Sequence, residues 1–366
     1  MDSSSLESHD FYILYAKESD TALSKQSAVT DPPDSSGPGL AASGGPTTTK
    51  RPHREALGFI AQYGVIIAFL ASIAYFSIAR PDSFPTVDNL RAILETAAPA
   101  MIVAVGLTVT LIMTDFDLSF GSIIALSGGV AVVLMGQHGA SWIVATLVAL
   151  GLCIAFGCLN GYLIAFLGGS SFIITLAMGT VITGVEFAFT KQSTLFGSAA
   201  PGYAEIAGGT ILGIHNTVWI AAAIACFLAF FLAFTETGRY MYAVGGNPEA
   251  SRLSGLRNRR LRLMGFVIIA LCGGVVGILL TSTSAGSYTP NFGVSFLLPA
   301  YAAAFLGAAA FRGGQFNILG TVIGVLFLGV IQTGLTMLSL ETYLINLAQG
   351  GILIAAVLIS RIGQRS

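Results

Sequence analysis

Charge is what this sequence has least of. Asp, Glu, Lys and Arg make up 10% of its 366 residues, where an ordinary soluble domain carries about 25%. With 54% apolar residues and a mean hydropathy of +0.80, the chain has too little polar surface to cover a water-soluble particle of its length. That excludes a soluble domain and leaves lipid as the solvent. The four cysteines (Cys153, Cys158, Cys226, Cys272) lie in apolar runs with no CxxC or Cys/His spacing, so they read as packed, reduced thiols. His9, His53, His138 and His215 are scattered, and no metal site is expected. No GxxxxGK[ST] loop occurs to cradle nucleotide phosphates. An ion-driven carrier would need several ionisable groups near the membrane midplane. Only Glu186 and Asp115 are candidates here. No His, Ser/Lys or paired-Asp constellation for an intramembrane enzyme is present either.

What the chain does have is apolar runs of spanning length, about 20 residues each. They fall near 57–79, 92–114, 118–136, 142–166, 171–190, 217–234, 263–283, 296–311, 317–338 and 342–360. The expected fold is therefore an all-α polytopic membrane protein of about ten transmembrane helices, with both termini cytoplasmic. Several runs are rich in Gly and Ala, which suits close helix packing in lipid. Trp142 and Trp219 fall at outer starts of runs, where indoles favour the interface. Residues 1–56 are a separate regime rich in Ser, Pro, Gly and Thr, read as a disordered cytoplasmic tail that is dispensable for transport. The transmembrane domain then spans 57–362. The loop at 191–216 either receives a soluble partner or merely links two helices.

The remaining charge is concentrated. Of the twelve bases beyond residue 56, five lie between Arg252 and Arg262. Basic loops of this kind belong in the cytoplasm. The surrounding segment, 235–262, reads TETGRYMYAVGGNPEASRLSGLRNRRLR. Asn247 is a strong N-cap, Pro248 suits the first helical position, and Glu249 complements the positive end of the helix dipole. Arg252 lies near the other end, and Gly255 is placed to end the helix in a left-handed conformation. Gly245 and Gly246 are expected to turn the backbone sharply before it. A helix this short is marginal in water unless something packs on it. It is either a surface turn anchored on headgroups or a docking helix for a cytoplasmic motor.

The stretch GRYMYAVGGNPEASRLSGL resembles the coupling-loop signature of permease subunits in bacterial ABC importers for ribose, xylose and related monosaccharides, the autoinducer-2 importer included. It matches at Gly238, Arg239, Tyr242, Ala243, Gly245, Gly246, Asn247, Ala250, Arg252, Leu253, Ser254 and Gly255. AVGLTVTLIMTDFDLSFGSIIALSG and FRGGQFNILGTVIGVLFLG extend the similarity, which covers roughly residues 57–360. The resemblance implies a multi-pass permease in the bacterial plasma (inner) membrane, assembled as a homodimer in the lipid bilayer. An extracytoplasmic sugar-binding protein would dock outside and an ABC ATPase inside. ATP and Mg would belong to that partner, with no cofactor, catalytic residue or nucleic acid on this chain. The coupling residues it implies are Gly245, Gly246, Asn247, Pro248, Glu249, Ala250, Arg252, Leu253, Ser254 and Gly255. A secondary transporter of a small polar solute is the alternative.

Departures from the family pattern fall in the membrane. Asp117, Leu118, Ser119, Gly121 and Ser122 keep a family motif, but the two glycines usually before it are here Thr114 and Asp115. Arg312 stands where the family has a small residue. Asp115 and Arg312 either compensate each other or reach water separately. Asp115, Asp117 and Ser119 are candidates for a polar helix break beside the path, with the side chains of Asp117 and Ser119 alternatively capping the next helix. Asn160, Glu186 and Gln332 are expected to make interhelical hydrogen bonds.

Overall fold

The structure is a computed structural model that describes residues 52–196, 200–310, 314–341, 343–348, 350–352 and 354. The tail up to residue 51, Arg312 and the end of the last apolar run from residue 355 lie outside the described residues. The long helices are α1 (Pro52–Ala79), α2 (Val87–Ile112), α3 (Phe120–His138), α4 (Trp142–Ala165) and α5 (Ser171–Thr190), followed by the short α6 (Pro201–Gly208) and then α7 (Asn216–Phe234). Next come α8 (Glu236–Gly246), α9 (Pro248–Leu253), α10 (Asn258–Thr283), α11 (Leu297–Ala309) and α12 (Ile318–Met337). A 3-10 turn, Phe292–Phe296, leads into α11. Eight helical segments among the described residues are long and apolar enough to cross a membrane, and α1 adds the apolar stretch Gly64–Ala79. The protein is an all-α, multi-pass membrane protein.

Local chemistry sets several helix starts. Thr86 accepts from the Asn89 N–H at 3.2 Å, and Asn317 accepts from the Gly320 N–H at 2.7 Å. Pro99 sits inside α2, where neighbouring helices tolerate the missing backbone donor. Burial separates the centre from the rim. Of the spanning stretches, 78% of α3 and 72% of α2 are buried, against 22% of α4 and 28% of both α5 and α7. Thus α2, α3 and α10 form the middle, and α4, α5 and α7 turn Leu147, Ile173, Phe227 and similar side chains outward. In lipid, close helix approach rather than hydrophobic collapse holds such a centre together. Small residues provide it here: α11 and α12 cross where Gly307 meets Gly320 and Ala303 meets Gly324.

One end of the bundle carries a cap. Strand β1 (Leu195–Phe196) pairs antiparallel with β4 (Ser287–Tyr288), Leu195 opposite Tyr288, while β2 (Thr210–Ile211) and β3 (Ile214–His215) form a hairpin. Tyr203 of α6 is fully buried and hydrogen bonds to Thr281 at 2.5 Å. Burial pushes its hydroxyl up to about 12. The Trp219 indole donates to the Ile211 carbonyl at 3.2 Å. The described parts of loop 191–216, residues 191–196 and 200–216, therefore pack on the bundle as a layer. At the opposite end meet the close of α2, the start of α3, the segment α8–α9 and the base of α10.

Candidate functional site

Helix α8 presents Gly238, Met241 and Val244 to the bundle at helical spacing. The Thr235 hydroxyl caps it by accepting from Gly238 N–H at 3.1 Å. At its far end a Cβ on Gly245 would collide with the carbonyl oxygen of Ile112, the last residue of α2. Gly245 thus supplies room for a backbone contact. Gly246 is exposed and has nothing within 4 Å of where a Cβ would stand. Neither has a positive φ, so the expected glycine turn is not what bends the chain. Asn247 does that, leaving helical geometry at φ −156° and ψ 97°.

Asn247 then caps α9, accepting from the Ala250 N–H at 3.0 Å, with Pro248 in the first turn. At the other end Gly255 takes φ +83°. The Leu256 N–H reaches back to Ser251 carbonyl at 3.1 Å and Gly255 N–H to Arg252 carbonyl at 3.1 Å, the two bonds of a Schellman ending. The Asn258 amide donates to the Pro248 carbonyl at 2.8 Å and braces α9 against the start of α10. Glu249 and Arg252 pair across one turn at 2.5 Å. That contact lowers the Glu249 pKa and raises that of Arg252. Among these residues only Ser251 is buried; Pro248, Glu249, Ala250, Arg252, Leu253, Ser254 and Gly255 all face outward, and Leu253 is 76% exposed. The result is a short helix fixed at both ends and free along its side.

The second candidate region is the break between α2 and α3, residues 113–119. Burial alternates along it: Asp115, Asp117 and Ser119 point inward, and Thr114 and Phe116 are exposed. Three consecutive backbone donors at its centre are satisfied by side chains from elsewhere, while those on either side bond locally. The Phe116 N–H bonds to Ser171 Oγ at 3.2 Å, Asp117 N–H to the Tyr301 hydroxyl at 3.1 Å, and Leu118 N–H to Thr175 Oγ1 at 3.0 Å. Tyr301 also donates to the Asp117 carbonyl at 2.8 Å. Such pairing is what lets non-helical backbone exist within a membrane protein. Thr114 has φ +63°, the conformation a glycine would adopt without strain. This is one of the two positions where the resembling family carries glycine.

Capping at the break differs from expectation. Asp117 Oδ1 accepts from the Ser119 N–H at 2.7 Å and from its hydroxyl at 2.6 Å, so Asp117 does satisfy the entrance to α3. Ser119 makes no side-chain cap, because its backbone is already helical at φ −85° and ψ −17°, whereas a capping residue needs an extended one. Its hydroxyl instead accepts from the Asn160 amide at 2.8 Å. Asp117 Oδ2 and Asn160 Oδ1 are buried without a hydrogen-bond partner. Asp115, whose proposed partner Arg312 lies outside the described residues, is held by Arg262 in a fork: Nε to Oδ2 at 2.6 Å and a terminal nitrogen to Oδ1 at 2.5 Å. Among the described residues, Glu186 does not bond another helix as expected; it accepts from the Tyr288 hydroxyl of β4 and from the Asn291 N–H in the loop that follows.

Sequence reading missed Arg262, Tyr301, Ser171 and Thr175. Arg262 was counted among the basic anchors, and a lone charge at the start of an apolar run was the available signal for more. Nothing in the sequence pairs Tyr301 with Asp117, since 184 positions separate them.

A family model described as branched-chain amino acid transport system / permease component matches residues 89–357. The chain belongs to this permease family. It is similar to the ribose import permease protein of Escherichia coli K12, 34% identical over 297 residues, covering 80% of this chain and 92% of that one. The D-allose transport system permease protein of the same organism is 30% identical over 313 residues, 86% of this chain and 95% of that one. The L-arabinose ABC transporter permease protein of Azospirillum brasilense is 34% identical over 297 residues, 81% and 86% of the two chains. No solved structure matches. For this permease, the signature positions now have physical roles: Asn247 caps α9, Gly255 ends it, Gly245 lets α8 touch α2, and Tyr242 donates to the Phe316 carbonyl at 3.2 Å.

Proposed function

We propose that this permease is the transmembrane subunit of an ATP-binding cassette importer that moves a monosaccharide or a related polyol into the cell. The cargo rests on relatives named for ribose, allose and arabinose, since the family model is named for branched-chain amino acids. The ATPase, with its ATP and Mg, is a separate subunit docked on α9. A second copy of the permease completes the path, and an extracytoplasmic binding protein delivers the sugar at the capped end. Arg252, Arg257, Arg259, Arg260 and Arg262 at the α9 end orient that end to the cytoplasm.

The observation that carries this reading is α9 itself. A helix of six residues gains little stability alone, yet both of its ends are closed and its side is left uncovered. The test is uptake by the permease reconstituted with its ATPase and binding protein. Gly246→Val adds a branched side chain into open space on the docking face, and Arg252→Glu sets like charges at 249 and 252. Both variants should insert normally, and ATP hydrolysis should no longer drive uptake. Normal uptake by both would refute the docking role.

A proton-driven carrier has one feature in its favour. Asp117 and Glu186 are buried carboxylates outside any ion pair among the described residues. Uptake that survives ATP depletion and collapses with a protonophore would select it.

A further inference from the structure

We propose that the Asp115–Arg262 pair is the positioning link through which α9, moved by its docked ATPase, shifts the 113–119 break. This rests on the importer reading above. Helix α9 is joined to α10 twice: by the chain, through the Schellman ending and Arg257, and by the Asn258 bond to Pro248. Any displacement of α9 therefore reaches the base of α10. Arg262 lies one turn along that helix. Of the side chains that bind the break, Ser171 and Thr175 belong to α5, Tyr301 to α11 and Asn160 to α4. Arg262 alone stands on the helix that follows α9.

The geometry of the pair suits force transfer. A guanidinium fork on a carboxylate fixes angle as well as distance. Asp115 has a side-chain exposure of 3% and Arg262 of 29%, so little water is at hand to replace either partner if they part. Separating them would strand a buried charge; the two move together. The packing contacts beside it, Gly245 on Ile112 and Gly265 on the Met113 side chain, are steric and can only push. The ion pair also pulls.

Hydrogen exchange on the assembled complex, with and without trapping by ATP and vanadate, tests the link independently of the cargo. In the wild type, trapping should change exchange in 248–256 and in 116–119. Asp115→Asn combined with Arg262→Met removes both charges at similar volume, so that no unpaired charge is left buried. In that double variant the response of 248–256 should persist, and the response of 116–119 should fall at least about fivefold, the low end of inter-site coupling. A break that still responds in the double variant, or never responds in the wild type, overturns the link. A wild type in which 248–256 does not respond overturns the docking of an ATPase on α9, and this inference with it. If the double variant fails to assemble, Arg262→Lys decides. It keeps the charge without the fork, so a response of 116–119 equal to wild type would sink the idea and a weakened one would support it.

Discussion

Helix α9 and the break between α2 and α3 lie at the same end of the bundle and are built by opposite means. Every bond that shapes α9 joins residues ten or fewer positions apart: Asn247 to Ala250, Leu256 to Ser251, Asn258 to Pro248. The break is shaped across 55 positions to Ser171, 57 to Thr175, 147 to Arg262 and 184 to Tyr301. One is a self-contained knob on the surface. The other is held at its centre by side chains from four helices, α4, α5, α10 and α11. A self-contained helix can be gripped and moved as a unit, and a segment held by its neighbours changes when those neighbours move. This division is what the proposed docking of an ATPase on α9, and the proposed movement of the break, would require.

The largest effect that would break this contrast is expected at Tyr301. Tyr301→Phe removes one hydroxyl and leaves both the N–H and the carbonyl of Asp117 without that partner in a fully buried place. An unsatisfied buried group costs about 1–3 kcal/mol. The variant should unfold at a lower temperature in detergent, while the exposed α9 stays as protected from hydrogen exchange as before. Unchanged thermal stability would mean that the break does not depend on its remote partners.

The difference in bond range also explains what could be read ahead of the structure. The cap at Asn247, the proline after it and the left-handed Gly255 were foreseen because their causes lie within nine residues. The membrane class followed from composition, and the spans from apolar runs. Arg262 escaped because a charge cluster beside a membrane has an adequate explanation in topology alone, and no local rule singles out one of five bases. The turn assigned to Gly245 and Gly246 failed for a related reason. Glycine serves both left-handed turns and close backbone contacts, and only the position of Ile112 tells which applies. Ser119 was expected to cap α3 by residue type, but capping depends on the backbone conformation, which Asp117 had already set.

Asn247→Ala addresses the other side of the comparison with a smaller effect. Loss of an N-cap is worth typically about 1 kcal/mol, and the first turn of α9 has no other side-chain acceptor among the bonds described above. The consequence should stay local. Amide exchange at Ala250 should quicken and the affinity for the ATPase should weaken, with global thermal stability unchanged. Asn247→Asp should restore both, since its side chain accepts the same bond. A drop in global stability would show that α9 is less self-contained than its hydrogen bonds imply.

The smallest effect is expected where the two regions share a device, a left-handed residue. In α9 that residue is Gly255 at φ +83°, and in the break it is Thr114 at φ +63°. A β-branched residue in that conformation is strained by about 1–3 kcal/mol. Thr114→Gly would relieve the strain, but two losses oppose it. The added chain entropy of glycine in the unfolded state amounts to about 0.4–1 kcal/mol. The Thr114 hydroxyl also donates to the Met113 carbonyl at 2.6 Å; a typical hydrogen bond contributes about 0.5–1.5 kcal/mol, and this one is exposed enough to be partly replaced by water. The balance lies between no change and a gain of about 1 kcal/mol, so the variant should unfold at the same temperature or slightly higher and transport normally. Destabilisation would mean that the threonine hydroxyl holds the break more firmly than its backbone strains it. The break would then owe part of its shape to a bond between adjacent residues, and the contrast with α9 would narrow to a matter of degree.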